Sequence, residues 1–164
     1  MATGPMPWEL NSDIVKAMQA AQNYYNQNQP GLATRLCEDI LRQERRHPEA
    51  LHLLGIIALN ASDIDVAVKQ LKAALAVHPA YFEALNSLGM AMVSQGRYAK
   101  SIEIFKKALR INPDYATAHT NLGISEMEIG NLGTAIERYQ RALDLVPDYA
   151  PAHYNLGNAL MKFG

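Results

Sequence analysis

The sequence predicts an all-α solenoid built from helical hairpins, and two spacings in its 164 residues carry that prediction. A Leu-Gly pair recurs with its glycine at four positions that lie 34 residues apart, namely Gly55, Gly89, Gly123 and Gly157. Prolines keep the same step at Pro79, Pro113 and Pro147. A fixed period in this range is typical of repeat proteins, because one helical unit cannot bury its apolar face alone and stacks on its neighbours.

Small residues mark the places where the two helices of each unit are expected to touch. Twelve positions after each of the first three glycines lies a small residue: Ala67, Ser101 or Ala135. Seven positions further on lies a second small residue: Ala74, Ala108 or Ala142. Between them lie the larger residues Leu71, Phe105 and Tyr139. This arrangement predicts close helix contacts, and the proline after each unit prevents the helix from continuing.

The pattern resembles the tetratricopeptide repeat, and the resemblance covers nearly the whole chain. It implies two antiparallel helices per unit, which we call helix A and helix B, with glycine and alanine where A meets B. It also implies a right-handed α-α superhelix of about four and a half helix-turn-helix repeats. In this register each Leu-Gly pair lies on helix A, and each bulky residue lies on helix B.

The register divides the chain into an arm and a repeat domain. We expect a flexible N-terminal arm at 1–12 and a tetratricopeptide domain at 13–164. The domain comprises a degenerate repeat at 14–47, full repeats at 48–81, 82–115 and 116–149, and helix A of a truncated repeat at 150–164. The register predicts nine helices, with Ser12 as the N-cap of the first. Cys37 replaces the bulky residue of the degenerate repeat and is expected to be a small buried apolar residue.

Composition argues against several classes of partner. The net charge is −1, from 15 basic and 16 acidic residues, so the chain lacks the strongly basic character of a nucleic-acid binder. The same balance disfavours a membrane surface, and no apolar run approaches the roughly 20 residues that a membrane span needs. The first residues lack the basic and apolar regions of a secretory signal. We therefore expect a cytoplasmic location, without nucleic-acid or membrane partners.

The sequence contains no recognisable catalytic, cofactor-binding or metal-binding arrangement, and we expect no enzyme activity. It has no phosphate-binding glycine loop, no dinucleotide fingerprint and no HExxH motif. Of the five histidines, His119 and His153 occupy the same repeat position, which predicts packing of helix A rather than a metal site. The carboxylates are spread along outward faces without a pair that could share acid and base work.

Helix A of each repeat is expected to line a concave groove that binds a peptide. The resemblance implies that positions three and two before the glycine, and one and four after it, face this groove. They combine aliphatic and methionine side chains with asparagine amides, which can donate and accept hydrogen bonds to a peptide backbone. The predicted peptide-binding residues are His52, Ile56, Asn86, Met90, Thr120, Asn121, Ile124, Met127, Tyr154, Asn155 and Asn158.

Two family resemblances bear on this groove. Asn121 and Asn155 are similar to the asparagine array in the repeats of O-linked N-acetylglucosamine transferases, which holds bound polypeptide; the alternative is that these amides bond only within their helix pair. The carboxylate clamp of chaperone cofactors needs basic residues on the same face. Glu83, Asn86 and Thr117 occupy the corresponding positions, among others, which argues against that clamp.

The leading hypothesis is a protein-protein interaction scaffold. Two alternatives stay open. These repeats could be the N-terminal, substrate-selecting arm of a larger enzyme such as a glycosyltransferase. They could also form a structural scaffold that self-assembles, because Leu156, Leu160 and Phe163 would lack a covering helix B and could pair with another copy. The sequence alone does not identify the partner.

Overall fold

The computed structural model describes residues 11–163, apart from the side chain of Phe163. Within that range all regular structure is helical, which confirms the all-α prediction. The predicted arm at 1–12 lies outside the described residues except for Asn11 and Ser12, and Gly164 lies outside them too. The chain has two compact units, the first ending at Pro79 and the second beginning at Ala80.

The described helices pack as antiparallel hairpins in each unit. The first unit contains the hairpins α1–α2 and α3–α4, with bounds α1 Ser12–Asn26, α2 Pro30–Gln43, α3 Pro48–Asn60 and α4 Ile64–Val77. The second contains α5–α6 and α7–α8, and α9 packs on α8; the bounds are α5 Phe82–Ser94, α6 Tyr98–Ile111, α7 Ala116–Glu128, α8 Leu132–Leu145 and α9 Ala150–Phe163. Helices α3, α5, α7 and α9 begin 34 residues apart.

In the hairpins α3–α4, α5–α6 and α7–α8, helix A meets helix B where a glycine faces a bulky side chain. A Cβ atom added to Gly123 would lie 2.6 Å from Cε1 of Tyr139, and one added to Gly55 would lie 2.7 Å from Cγ of Leu71. Gly89 faces the ring of Phe105 in the same way. The small residues predicted on helix B are all fully buried, as are the bulky ones: Ala67, Leu71, Ala74, Ser101, Phe105, Ala108, Ala135, Tyr139 and Ala142. The predicted close contacts are confirmed.

The turn from helix A to helix B uses one residue in the left-handed backbone region. These residues are again 34 apart: Asn28, Ser62, Gly96 and Gly130, with φ of 58°, 61°, 67° and 88°. Glycine adopts such values without steric cost, and asparagine tolerates them better than most residues. Pro30 is the first residue of α2, where its missing N–H is not needed.

Polar side chains cap three of the helices in the first unit: Asn11 caps α1, His47 caps α3 and Asp63 caps α4. The prediction of Ser12 as the first N-cap is wrong by one residue, because Asn11 accepts hydrogen bonds from the backbone N–H groups of Asp13 and Ile14, at 3.1 and 3.4 Å. His47 caps α3, and its Nδ1 accepts from the N–H of Ala50 at 3.3 Å. That bond requires an unprotonated Nδ1, and burial lowers the pKa of His47.

Cys37 and Tyr139 show what burial at the bulky helix B position does to a titratable group. Cys37 is fully buried, as expected, and burial raises the pKa of its thiol to about 12. Burial also raises the pKa of Tyr139 to about 12. Both groups therefore stay protonated at neutral pH. Along residues 11–163, no helix combines the length and the apolar character needed to cross a membrane.

Replacing Gly123 by alanine is expected to lower the free energy of unfolding by about 1–3 kcal/mol, because the new methyl group overlaps the Tyr139 ring. The matched control is Gly157→Ala at the same repeat position of α9, where an added Cβ meets nothing within 4 Å. The control should raise the free energy of unfolding by about 0.5–1 kcal/mol through helix propensity. Urea denaturation measures both, and effects of the same sign would contradict the packing described.

The His47 cap predicts a specific dependence of stability on pH. In the unfolded chain a histidine takes up a proton near pH 6.5, whereas folded His47 resists protonation because its pKa is lowered. The unfolded state therefore binds more protons, and the free energy of unfolding should fall as the pH drops below about 6.5. His47→Asn keeps a cap that does not titrate. Urea denaturation at about pH 7.5 and 5.5 should show a smaller loss in this variant, and an identical loss would refute the cap's role.

Candidate functional site

The predicted groove residues lie mainly on the A helices of the second unit. Helix α7 contacts both α5 and α9, so the three A helices are neighbours. Nine of the eleven predicted residues belong to this set, which we call the A face: Asn86, Met90, Thr120, Asn121, Ile124, Met127, Tyr154, Asn155 and Asn158. The other two, His52 and Ile56, lie on α3 in the first unit, where His52 is buried and Ile56 half-buried.

A hydrogen bond between two asparagine side chains connects α5 to α7. Asn121 Nδ2 donates to Asn86 Oδ1 at 3.0 Å. The structure therefore supplies a third arrangement besides the two that the sequence left open, since the Asn121 amide bonds to the A helix of the preceding repeat and not within the α7–α8 pair. The bond fixes the orientation of both amide planes.

The Asn86–Asn121 pair leaves one acceptor and one donor unused. Asn121 Oδ1 and Asn86 Nδ2 make no hydrogen bond to any of residues 11–163. Asn121 is half-buried and Asn86 is nearly fully buried, so the pair lies at the base of the A face rather than on its rim. A carbonyl and an N–H on a neighbouring chain are the groups that such a pair can bind.

The α9 residues of the A face are the most accessible. Tyr154 is 71% exposed, whereas Asn155 and Asn158 are half-buried. Asn155 Nδ2 donates to the backbone carbonyl of Pro151 at 2.8 Å, within its own helix. The two asparagines that occupy one repeat position therefore differ, since Asn121 links two helices and Asn155 bonds inside one.

The apolar residues predicted to form the groove floor also belong to the core. Met90 packs against Ile102, Phe105 and Leu122. Ile124 and Met127 pack against a cluster of Ala135, Tyr139 and Ala159. All three remain half-buried, so each presents only part of its side chain to solvent.

Thr120 is poorly placed for contact with a partner. Its side chain is 2% exposed and its hydroxyl donates to the backbone carbonyl of Ala116 at 3.2 Å. The sequence placed it on the same helical face as Asn121, but the structure buries it, and both α5 and α9 pack against α7. We therefore leave Thr120 out of the candidate contact surface.

Sequence reasoning missed the Asn86–Asn121 bond because the two residues lie 35 positions apart, one more than the repeat period. The same offset recurs in the first unit, where Asn60 Nδ2 donates to the Tyr25 hydroxyl at 2.6 Å between α3 and α1. Both of these bonds thus join a residue to the one after its repeat equivalent. A search for polar pairs at this offset would have found both bonds.

The histidines at the shared repeat position act in the fold. His119 Nε2 lies 2.9 Å from the Pro113 carbonyl, and His153 Nε2 lies 2.7 Å from the Pro147 carbonyl. Each ring thus links an A helix to the turn before it, which agrees with the predicted packing role. Within the described part of the chain, no three or more His, Cys, Asp or Glu residues are grouped as metal ligands.

Two family models match the chain. One, described as Tetratricopeptide repeat, matches residues 52–116, and another, described as TPR repeat, matches residues 125–164. Together the two matches span well over half of the sequence. No curated protein is similar enough in sequence to match it.

Solved structures with the same fold cover most of the chain. A MamA fragment from Desulfovibrio magneticus RS-1 is 24% identical, with a TM-score of 0.77 over 93% of this chain and 86% of that one. A thermophilic TPR protein of Thermus thermophilus, TTC0263, is 23% identical, with a TM-score of 0.81 over 92% of this chain and 83% of that one.

A third solved structure contains a bound peptide. It is the first TPR of Spaghetti (RPAP3) with an HSP90 peptide, SRMEEVD; it is 18% identical, with a TM-score of 0.68 over 71% of this chain and 92% of that one. At these identities the similarity concerns the fold. From the repeat register, the glycine contacts and the two family matches, the chain belongs to the tetratricopeptide-repeat family.

Proposed function

We propose that the protein is an interaction scaffold that binds an extended segment of a partner protein along the A face of its second unit. The hydrogen-bonded pair Asn86–Asn121 is the observation that carries this proposal. Tetratricopeptide repeats are a protein-binding fold, and solenoids in general bind partners along extended surfaces. The chemistry of the pair determines what kind of segment fits.

The pair matches a peptide group in an extended strand. Its free Asn121 Oδ1 can accept from a backbone N–H, and its free Asn86 Nδ2 can donate to a backbone C=O. Because the Asn86–Asn121 bond already holds the two amides in place, little side-chain entropy is lost on binding. Recognition of backbone groups supplies affinity without selecting a sequence.

Side chains around the pair favour a partner with apolar residues. Tyr154 on α9 is strongly exposed, and an aromatic ring offers a large contact area with a polar end. Met90 and Met127 are half-buried, and methionine adapts to irregular apolar surfaces. The proposed contact residues on the A face are Asn86, Met90, Asn121, Ile124, Met127, Tyr154, Asn155 and Asn158.

The peptide-bound neighbour supports the mode of binding but not the same peptide. That neighbour holds SRMEEVD, a segment with two glutamates and an aspartate. In this chain Glu83, Asn86 and Thr117 occupy positions where the resemblance to carboxylate-clamp proteins calls for cations. We therefore expect a partner segment that is not acidic. A role for His52 and Ile56 of α3 remains a prediction.

Two exposed apolar residues of α9 support the alternative of self-assembly. Leu160 is 50% exposed and Met161 is 77% exposed. Their repeat equivalents on α7 are less accessible, since Glu126 is 4% exposed and Met127 is half-buried. A second copy that covers α9 would remove this apolar surface from water. The hypothesis of a substrate-selecting arm of an enzyme rests on the sequence alone and remains a prediction.

Asn121→Ala is expected to weaken the binding of a partner peptide by about 0.5–1.5 kcal/mol for each hydrogen bond lost. Peptides of about twelve residues would first be selected on the immobilised protein from a random display library. Their dissociation constants would then be measured by calorimetry with the wild type and the variant. Asn155→Ala should have a smaller effect, because part of the Asn155 amide is already used by Pro151.

The matched control for Asn121→Ala is Gln140→Ala, which removes an exposed amide from α8, a B helix. It should leave peptide affinity unchanged. Equal losses in the two variants, or no selectable peptide at all, would sink the proposed function. Unfolding of Asn121→Ala must be measured in parallel, since this variant also leaves Asn86 without its bond.

Self-assembly through α9 predicts that the molecular mass measured by light scattering increases with protein concentration. Met161→Glu should abolish this increase, because the interface would then bury an unpaired charge. Ile111→Glu is the control: it places a charge at an exposed apolar residue at the end of α6. The control should associate as the wild type does. A wild-type mass independent of concentration would exclude this alternative.

A further inference from the structure

An open cavity of about 410 Å³ lies among α6, α7 and α8 of the second unit. Three cationic side chains line it: Lys106 and Arg110 from α6, and Arg138 from α8. His119 lies beside them, and the remaining wall is apolar, formed by Leu109, Pro113 and Leu122. We call this site the basic cavity.

The cations of the basic cavity are incompletely neutralised. Lys106 Nζ lies 3.7 Å from Glu126 Oε1. The other carboxylate oxygen of Glu126 accepts a hydrogen bond from the Asn131 side chain at 2.8 Å. Arg110 and Arg138 form no ion pair with any of the described residues. Two guanidinium groups therefore remain available, and they are the side chains best suited to bind phosphate or carboxylate oxygens.

Two nitrogen atoms of the cavity's side chains lack partners in the described structure. Arg138 Nε and His119 Nδ1 are both buried without a hydrogen bond. Such groups are uncommon in native proteins, because a buried donor or acceptor without a partner costs free energy. His119 is itself 6% exposed. A ligand in the cavity would give these atoms their missing partners.

The repeat does not require these polar residues. Positions 34 residues earlier hold Ala76 for Arg110, Leu85 for His119 and Ile104 for Arg138. The fold thus accepts apolar side chains at all three positions. The two arginines distinguish this repeat from the one before it, which points to a role in binding, whereas His119 also links α7 to the turn before it.

We propose that the basic cavity binds an organic phosphate monoester, with the phosphate between Arg110 and Arg138 and its organic group against Leu109, Pro113 and Leu122. A dianion matches the two arginines that lack ion-pair partners. The cavity is much larger than a phosphate alone needs, and the apolar wall accounts for the rest of its volume. A carboxylate would neutralise only one of the arginines.

The basic cavity is separate from the A face. His119 and Asn121 are two residues apart on α7, which places them about 200° apart around the helix axis. A ligand in the cavity therefore approaches α7 from the side opposite to the Asn86–Asn121 pair. The two proposals can fail independently.

A bound phosphate should also change the protonation of His119. Its Nε2 donates to the Pro113 carbonyl, so Nδ1 becomes a second donor only when the ring is protonated. Burial and the charges of Arg138 and Arg141 lower the pKa of His119, while the Pro113 bond and Asp114 oppose this. Lys106 and Arg110 of α6 also line the cavity, with Glu126 paired to Lys106. A phosphate beside the ring stabilises the protonated imidazole and therefore raises the pKa of His119, against the effect of the cations.

The test titrates the whole chain with phenyl phosphate and follows the backbone amides and the His119 ring by NMR. We expect shifts concentrated in α6, α7 and α8, and a rise in the pKa of His119 at saturation. Arg138→Ile, which copies Ile104 of the preceding repeat, should fold normally and weaken binding by at least about tenfold. Arg110→Ala should weaken it as well.

The control is Arg141→Ala. Arg141 is an exposed cation on the same helix as Arg138, but it pairs with Asp114 and does not line the cavity. Its affinity for phenyl phosphate should stay within about twofold of the wild type. Equal losses in Arg138→Ile and Arg141→Ala would show a nonspecific charge effect and overturn the proposal. So would shifts scattered over all helices, or binding unaffected by Arg138→Ile in a variant whose melting temperature is unchanged.

A second titration identifies the source of the phosphate. A peptide that contains phosphotyrosine between alanines is compared with phenyl phosphate and with the same peptide unphosphorylated. Tighter binding of the phosphopeptide assigns the site to a phosphorylated partner protein, and equal binding assigns it to a small organic phosphate. Binding of the unphosphorylated peptide at the same residues would overturn the proposal, because the phosphate would then contribute nothing.

Discussion

The fit of a bulky side chain against a glycine on the facing helix is the contact on which both units depend. Gly123 leaves room for the Tyr139 ring, and Gly55 leaves room for Leu71. Because interiors are close-packed, even one additional methyl group at such a point must displace a ring or a helix. The contact sets the distance between A and B helices, and this distance determines which faces of α7 stay accessible. Both proposed binding sites therefore depend on the glycine contacts, although none of the residues in these contacts is proposed to bind a ligand.

The sequence revealed the hairpins, because small and bulky residues repeat at a fixed spacing and the spacing alone identifies their roles. It revealed less of the candidate site. The helical period predicted Asn121, Met90 and Ile124 as groove residues, but it could not show that the bonds between α5 and α7 and between α1 and α3 are offset by one residue. That offset pairs Asn121 with Asn86, and Thr120 is itself buried. Likewise, Asn11 and Ser12 are both good N-caps, and only the backbone path selects Asn11.

The two sides of helix α7 face side chains of different chemistry. One side carries neutral amides and half-buried aliphatic groups, and the other faces arginine and lysine side chains across an open cavity. Neutral amides suit a peptide backbone, whereas uncompensated guanidinium groups suit an anion. A chain with a net charge of −1 can therefore contain a local excess of positive charge that its composition conceals. Residues outside the repeat consensus, such as Arg138 and Asn86, are where such differences between repeats arise.

The left-handed residue that closes each hairpin has an evolutionary consequence. Since Asn28, Ser62, Gly96 and Gly130 hold the same backbone conformation at the same interval, the turn inside each of these hairpins has equivalent geometry. A gene segment encoding one period can then be duplicated or deleted without creating a new kind of junction. Lineages can thus lengthen or shorten such an array by recombination, and each added copy is free to acquire its own ligand chemistry.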